Sequence, residues 1–288
     1  MPLELPAERA GRPAPPTLAE RRRLMTTALA GRLAELDPRP QEIEIAGVRA
    51  LRFDPPRPPR ALIVHLHGGG FRLGAPEAVA GFAAALARRL GVAVVCPAYR
   101  LAPEAPFPAG LSDGWKVLRA LRETGEPAPI LSGDSAGGGL AASLTALACS
   151  HGVAPAGLVL LSAWLDLTVT SPTYETNAAT DPLFSRASAE EAAALYLQGA
   201  SARDPLASPL FAALEGFPAT LVNVGRGEVL ADDARRFHAA LEVAGVAAEF
   251  SVIDGMEHVA VVRDEDLTGS RETFEAVCAF VNRLVGRA

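Results

Sequence analysis

The chain has 288 residues, of which 49% are hydrophobic and 21% charged, and its formal net charge is −6. This composition predicts a compact globular protein and excludes extended disorder, and the negative balance argues against nucleic acid as a partner. Three widely spaced cysteines indicate neither a disulfide framework nor a metal site.

The N-terminal region combines prolines with a helical pattern. The first 16 residues contain five prolines and no hydrophobic periodicity, so we expect a loose arm. The arm lacks the basic start and apolar core of a secretory signal, and no apolar run reaches the roughly 18 residues of a membrane helix, so we expect a cytoplasmic protein without a membrane span.

Residues 17–36 then predict a helix with Thr17 as N-cap and Glu20 as its capping-box partner. Alternation over residues 42–53 predicts two edge strands or a hairpin.

From residue 61 onward, short apolar runs alternate with amphipathic segments. The runs predict strands at "ALIVHL", "VAVVCPAY", "PILSGDS", "GLVLLSAW", "ATLVNVG" and "AEFSVID". The segments between them predict helices over residues 76–90, 109–123, 136–150 and 232–244. Such alternation is typical of a mostly parallel central sheet with helices on both faces.

The alternation lapses between Asp166 and Phe217. This stretch carries one short helical pattern, near residues 187–198. Unstructured loops longer than about 12–15 residues are uncommon in compact domains. We therefore expect an inserted excursion with a function, such as a lid.

A serine lies at the junction between a predicted strand and a predicted helix. Gly133-Asp134-Ser135-Ala136-Gly137 matches G-x-S-x-G in the strand–turn–helix setting that this motif requires. The sharp turn projects the serine from the carboxyl end of a central strand, so Ser135 is the candidate nucleophile.

Three adjacent glycines follow an earlier strand in "HGGG", which is His67 to Gly70. Attack of a serine on a carbonyl creates an oxyanion that needs preorganised donors. Backbone without side chains can turn its N–H groups toward that oxygen, and the amide of Ala136 can supply a further donor. The glycines therefore indicate an oxyanion-binding loop.

The serine needs a base, and two histidines follow it in suitable parts of the chain. His238 lies inside a predicted amphipathic helix, where an exposed or packed histidine is the simpler interpretation. His258 lies in a loop after the last strand, where functional side chains collect. His258 is therefore the predicted base.

The sequence does not determine which acid orients the base, since four carboxylates are candidates for that role. Asp232 and Asp233 lie where first-turn acids of a helix are expected, and Asp254 suits its own turn. Glu228 lies in the loop after "ATLVNVG", 30 residues before His258 (258 − 228). These residues alone leave the choice open.

Six motifs occur in this chain order: "HGGGF", "YRLAPEAPFPA", "GDSAGGG", "DPLASPLF", "FPATLVNVG" and "GMEH". Together they resemble the hormone-sensitive-lipase-like branch of α/β-hydrolase esterases. The resemblance implies an α/β-hydrolase fold with a helical cap, and carboxylic-ester hydrolysis without a cofactor or metal. The cap would comprise residues 1–40 and an insertion at about 167–216, on a catalytic domain of residues 41–288.

The resemblance also assigns site residues. Glu228 matches the family's acid position, although members often carry aspartate there, which keeps Asp232 as the alternative acid. Gly69, Gly70 and Ala136 match the oxyanion donors, and the supporting motif residues are His67, Gly68 and Asp134.

The expected substrate is a small or medium acyl ester, or a lactone. Candidate pocket residues are Phe71, Phe184, Leu195 and Tyr196. The alternatives are an acyltransferase or amidase with the same residues, or a non-catalytic protein that binds a small ligand. Association into a homodimer through a sheet edge or the C-terminal helix is left open.

Overall fold

The computed structural model describes residues 2–286, and its centre is one eight-stranded sheet. The strand order is β1-β2-β4-β3-β5-β6-β7-β8. Pairs β1–β2 and β2–β4 are antiparallel and the other pairs are parallel. The strands are β1 (Gln41–Ile45), β2 (Val48–Phe53), β3 (Leu62–Leu66), β4 (Ala93–Pro97), β5 (Ile130–Asp134), β6 (Gly157–Leu161), β7 (Thr220–Gly225) and β8 (Ala248–Ile253). The predicted mostly parallel sheet is confirmed.

Helices fill the connections between the strands. They are α1 (Pro16–Ala30), α2 (Ala80–Leu90), α3 (Ala109–Glu123), α4 (Ala136–Ser150), α5 (Thr173–Thr176), α6 (Arg186–Leu197), α7 (Ala231–Val243), α8 (Ala260–Arg263) and α9 (Ser270–Val285), with 3₁₀ turns at Gly31–Glu35, Pro76–Val79 and Pro209–Phe211. Within residues 2–286 we find no helix that combines the length and the apolar character needed to cross a membrane.

The start and end of α1 differ from the sequence prediction. Thr17 is not the N-cap, because the helix begins at Pro16 with Pro15 in the cap position and no side-chain cap bond. Proline suits the first helical position, where its missing N–H has no partner to lose. The helix ends at Ala30 rather than Leu36, and Gly31 opens a 3₁₀ turn.

Two apolar layers enclose the sheet. Leu62, Val64 and Leu66 of β3 join the cluster that includes α3, α4 and α7, whereas Ile63 joins the cluster with α2 and α9. Successive side chains of a strand point to opposite faces, so one buried strand contributes to both layers. This rigid sheet carries the loops at the carboxyl ends of its strands.

The N-terminal arm lies against the excursion between β6 and β7. Arg9 Nη2 donates to the Leu197 carbonyl at the end of α6 (2.7 Å). Gln198 Nε2 donates to the Pro103 carbonyl (2.6 Å), and the same carbonyl accepts from the Arg12 amide (2.9 Å). Residues 2–15 contain no helix or strand, but these bonds hold the arm beside the excursion.

Candidate active site

Ser135 is the single residue between β5 and α4, and its backbone is strained. Its φ of 51° and ψ of −123° are sparsely populated for a residue with a side chain, an arrangement worth about 1–3 kcal/mol of strain. The Ser135 amide donates to the Leu161 carbonyl, and its carbonyl accepts from the Trp164 amide, each at 2.9 Å. Neighbouring backbone thus holds the turn that presents the hydroxyl.

Gly137 makes this turn possible, because strand and helix pass very close to each other. A Cβ atom on Gly137 would lie 2.0 Å from the Leu66 carbonyl oxygen of β3. No side chain fits at that distance from backbone. The glycine two residues after Ser135 is therefore a packing requirement of α4 against β3.

Replacement of Gly137 by alanine is expected to lower the free energy of unfolding by about 3 kcal/mol or more, since backbone must move to admit the methyl group. Gly81, in α2, has no heavy atom within 4 Å of a built Cβ. Gly81→Ala is therefore expected to leave the free energy of unfolding unchanged or raise it by up to about 1 kcal/mol. Urea denaturation of both variants measures the contrast, and equal losses would contradict it.

His258 bridges Ser135 and Glu228. Its Nε2 lies 2.9 Å from Ser135 Oγ, and its Nδ1 lies 2.6 Å from Glu228 Oε2. A carboxylate can only accept, so Nδ1 carries the proton and Nε2 is free to accept from the serine. Ser135, His258 and Glu228 are 6%, 7% and 1% exposed. The hydroxyl, the imidazole and the carboxylate therefore form one buried hydrogen-bond chain.

The Glu228 side chain is fixed by its second oxygen. Oε1 accepts from the Ser162 hydroxyl (2.7 Å) and from the Gly225 amide (2.5 Å). The Ser162 hydroxyl also accepts from the Val259 amide at 3.3 Å, next to His258. Ser162 therefore links the acid to the histidine loop, and sequence reasoning missed it because serines at strand ends are common.

The environment of His258 favours its charged form. Burial disfavours the imidazolium, but the hydrogen bond to Glu228 and the charges of Glu228, Asp181 and Asp134 leave the pKa of His258 raised above its ordinary value. A phenyl ring also covers the imidazole, since Phe184 stacks on it with centroids 5.7 Å apart and planes 12° apart. The site is thus suited to hold a proton on His258 between two chemical steps.

The other candidate acids bind elsewhere. Asp232 accepts from Ser171 and pairs with Arg235, and Asp233 accepts from Ser171 and from the Leu165 and Asp166 amides. Burial raises the pKa of Asp233 to about 7, which suits poorly an acid that must stay ionised. Asp254 pairs with Arg226 at the surface. Glu228 is thus the candidate acid that reaches His258.

His238, the alternative base, lies away from this chain of bonds. Its Nδ1 is 3.6 Å from Glu242 Oε2, and its ring stacks on Phe250 of β8.

The loop after β3 is fixed from below by Asp134. The Gly68 amide donates to Asp134 Oδ1 (3.0 Å), and His65 Nε2 lies 3.2 Å from the same oxygen. The His67 carbonyl accepts from the Tyr99 hydroxyl (2.6 Å). The next two residues, Gly69 and Gly70, have φ of +119° and +60°, where glycine has no steric penalty.

A cluster of aromatic rings, which we call the aromatic wall, lies beside the glycine loop and His258. Phe71 stacks on Tyr196 with centroids 3.9 Å apart, and Trp164 lies 5.8 Å from Phe71 and 5.3 Å from Phe184. Trp164 was not among the predicted pocket residues, although it follows the strand β6 closely in the chain. Leu195 is half-buried and precedes Tyr196, so it points about 100° away around α6.

Arg72, a second missed residue, joins this loop to α6. Arg72 is 5% exposed, and its guanidinium lies 2.6 Å from a Glu191 carboxylate oxygen and donates to the Ser188 hydroxyl at 3.1 Å. The position of α6 is therefore tied to the glycine loop.

One group among residues 2–286 has the residue types of a cation site. Oxygen or nitrogen atoms of Asp181, Glu228 and His258 lie within 4.8 Å of one another. The carboxylate oxygens already accept hydrogen bonds from backbone amides, Ser162 or His258. We therefore describe the group as a hydrogen-bond cluster.

Comparison with known proteins gives the family. Residues 63–262 match a family model described as the alpha/beta hydrolase fold. The chain belongs to this family. It is 37% identical over 235 residues to an acetyl-hydrolase of Streptomyces hygroscopicus, which covers 81% of this chain and 79% of the relative. It is 38% identical over 218 residues to an esterase of Acinetobacter venetianus, which covers 74% and 72%.

A solved α/β-hydrolase structure extends the match to nearly the whole chain. An esterase of the bacterial hormone-sensitive lipase family superposes with a TM-score of 0.88 at 35% identity, covering 95% of this chain and 93% of that one. The predicted α/β-hydrolase fold and the resemblance to hormone-sensitive-lipase-like esterases are confirmed. The protein is a serine carboxylesterase, a carboxylic ester hydrolase of this branch.

Proposed function

We propose that Ser135, His258 and Glu228 are the catalytic triad and that the enzyme hydrolyses small to medium acyl esters through an acyl-enzyme on Ser135. One observation carries the proposal: the unbroken hydrogen-bond chain from the Ser135 hydroxyl through His258 to Glu228, with distances of 2.9 and 2.6 Å. Asp232, the alternative acid, has other partners.

In the first half-reaction, His258 Nε2 takes the Ser135 proton as Oγ attacks the ester carbonyl carbon. The tetrahedral oxyanion accepts hydrogen bonds from the amides of Gly69, Gly70 and Ala136, and its collapse breaks the bond to the alcohol oxygen, which takes the proton from His258. In the second, His258 removes a proton from water, water oxygen attacks the acyl carbon, and Ser135 leaves with the proton. Glu228 keeps its charge and stabilises the imidazolium in both halves.

The motif residues around the glycine loop support the oxyanion donors. The Asp134 carboxylate accepts a hydrogen bond from the Gly68 amide and lies within hydrogen-bond distance of His65 Nε2. The Tyr99 hydroxyl donates to the His67 carbonyl. With these groups already bonded, the amides of Gly69 and Gly70 need no reorganisation when negative charge develops on the substrate oxygen.

The size of the acyl group follows from the surroundings of the serine. Phe71, directly after the glycines, stacks on Tyr196 of the excursion, Phe184 of the excursion stacks on His258, and Ser135 is only 6% exposed. We propose that residues 1–40 and 167–216 form a cap over the site, and that this aromatic wall limits the acyl chain. The name acetyl-hydrolase of the Streptomyces relative agrees with a short acyl group. A cytoplasmic location and a homodimer stay predictions.

Hydrolysis of p-nitrophenyl esters from acetate to palmitate tests the substrate range. We expect kcat/KM to be highest at short chains and to fall as the acyl chain lengthens, because longer chains meet the aromatic wall. Phe184→Ala removes one ring of the wall and should move the optimum to longer chains, whereas Phe211→Ala, at a 3₁₀ turn, should not. An optimum at palmitate in the unsubstituted enzyme would overturn the proposed size limit.

The pH dependence follows from His258. The base works only when neutral, so kcat/KM is expected to fall as the pH drops through the raised pKa of His258. The acid limb should therefore lie above the ordinary histidine value of about 6.5. Initial rates between pH 4.5 and 9, with far-UV circular dichroism at each pH to exclude unfolding, measure the limb. Full activity well below the ordinary histidine pKa would contradict the assignment.

A further inference from the structure

Side chains of the excursion hold the backbone of the acid loop, residues 226–229. Asn177 Nδ2 donates to the carbonyls of Arg226 (3.0 Å) and Glu228 (2.8 Å). Thr180 Oγ1 donates to the Gly227 carbonyl (2.8 Å), and Thr173 Oγ1 donates to the Val229 carbonyl (2.6 Å). Four consecutive backbone carbonyls thus accept hydrogen bonds from side chains of the excursion. We call the side chains of Thr173, Asn177, Thr180 and Asp181 the clasp.

Asp181 is the member of the clasp that binds the backbone of two segments, the acid loop and residues 183–184. Its Oδ2 accepts from the Val229 amide (3.0 Å), directly after Glu228. Its Oδ1 accepts from the amides of Leu183 (3.1 Å) and Phe184 (3.0 Å). One carboxylate, 7% exposed, therefore ties the acid loop to the segment whose phenyl ring stacks on His258.

Asp181 also adds charge to the surroundings of the base. One of its oxygens lies within 4.8 Å of ligand-type atoms of both Glu228 and His258. The other charged groups around His258 are Asp134, below the glycine loop, and Arg263 of α8, which donates to the His258 carbonyl at 3.4 Å. The second carboxylate helps to raise the pKa of His258.

We propose that Asp181 is a positioning residue for the triad, and that the clasp fixes the backbone of the triad acid from the excursion side. The inference rests on the proposed roles of Ser135, His258 and Glu228. The hydrolase core holds the Glu228 side chain through Ser162 and Gly225, whereas the clasp holds the main chain on both sides of it. Part of the excursion is thus a component of the catalytic framework.

Asp181→Asn tests the charge and the bond to Val229 together. The asparagine oxygen is expected to face the Leu183 and Phe184 amides, which are two donors against one, so the amide nitrogen faces the Val229 N–H and cannot accept from it. The acid loop then loses one support while the side chain keeps its shape. We expect kcat to fall about 10- to 100-fold with little change in KM, because small displacements of reacting groups have effects of this size. The acid limb of kcat/KM should move to lower pH, since a negative charge near the imidazolium is removed.

Asp113→Asn is the matched control for burial and charge. Asp113 is 3% exposed and binds Arg100 in the scaffold, at 2.7 Å. This variant should lower the melting temperature and leave the acid limb in place. If Asp181→Asn lowers only the melting temperature, as the control does, the proposal is overturned.

Thr173→Val provides a second variant that changes no charge. It removes the bond to the Val229 carbonyl and should lower kcat about tenfold without moving the acid limb. Thr124→Val removes a similar bond, from Oγ1 to the Leu121 carbonyl at the end of α3, and should leave kcat unchanged. Equal kcat values in the two threonine variants would overturn the role of the clasp even if Asp181→Asn does not fold.

Ser135→Ala, assayed in parallel, separates this inference from the proposed function. If Ser135→Ala keeps activity, the triad assignment fails and the inference fails with it. If Ser135→Ala is inactive while the Asp181 and Thr173 variants behave like the unsubstituted enzyme, the inference alone fails.

Discussion

Replacement of Ser135 by alanine is expected to lower kcat for ester hydrolysis by about 10⁶-fold, because the acyl-enzyme can no longer form. His258 and Glu228 would remain bonded to each other, at 2.6 Å, but without a nucleophile they have no proton to transfer. The residual rate should reflect only binding and the oxyanion donors, which together give about 10³–10⁴-fold over water. Steady-state hydrolysis of p-nitrophenyl acetate measures the loss.

The control for this change is Ser143→Ala on the same helix. Ser143 is 1% exposed, lies in α4 beyond the glycines and makes none of the contacts in the triad. We expect its kcat to stay within about twofold, since substitutions away from such features have small effects. Retention of most of the activity by Ser135→Ala, in protein with an unchanged melting temperature, would reject the serine as nucleophile.

Glu228→Gln is expected to lower kcat by about 10⁴-fold with the fold intact, by analogy with the loss of the orienting carboxylate in other triads. Glutamine can still accept from Ser162 and Gly225 through its carbonyl oxygen. Its amide then faces His258 Nδ1 as a donor, so the imidazole must take the tautomer that carries its proton on Nε2, toward the serine. That tautomer cannot accept the Ser135 proton.

Asp232→Asn distinguishes the two candidate acids. Asp232 binds Ser171 and Arg235, so this variant should lose stability and keep kcat within a few fold. Melting temperature and kcat of both variants, measured side by side, decide the assignment. A 10⁴-fold loss in Asp232→Asn beside an active Glu228→Gln would transfer the role of acid to Asp232.

The sheet and the nucleophile turn could be predicted from sequence because their signals are local. Apolar runs of six to eight residues predicted the strands β3 to β8, and the helices α3 and α4 have the predicted bounds. Ser135 could be proposed as the nucleophile since G-x-S-x-G needs only its flanking strand and helix. His258 followed from its position in a loop, whereas His238 lies inside α7.

The candidate acid and the groups that bind it could not be predicted from neighbouring residues in the sequence. Four carboxylates stand near suitable strand ends, and only the fold decides that Glu228 reaches His258 while Asp232 and Asp233 bind the start of the excursion. Asp181 is 48 residues away from Val229, whose amide it accepts from. Bonds between side chains and distant backbone leave no periodic pattern in a sequence, so the clasp was not foreseeable.

The burial of the serine and histidine also bears on what happens after the alcohol has left. With Ser135 and His258 only 6% and 7% exposed, little of either side chain is open to a second reactant. His258 would remove a proton from any alcohol or amine placed beside the acyl group, so chemistry alone does not select water. Size is then expected to decide, because water needs less space beside Ser135 than an alcohol or amine, and we expect hydrolysis to outcompete acyl transfer.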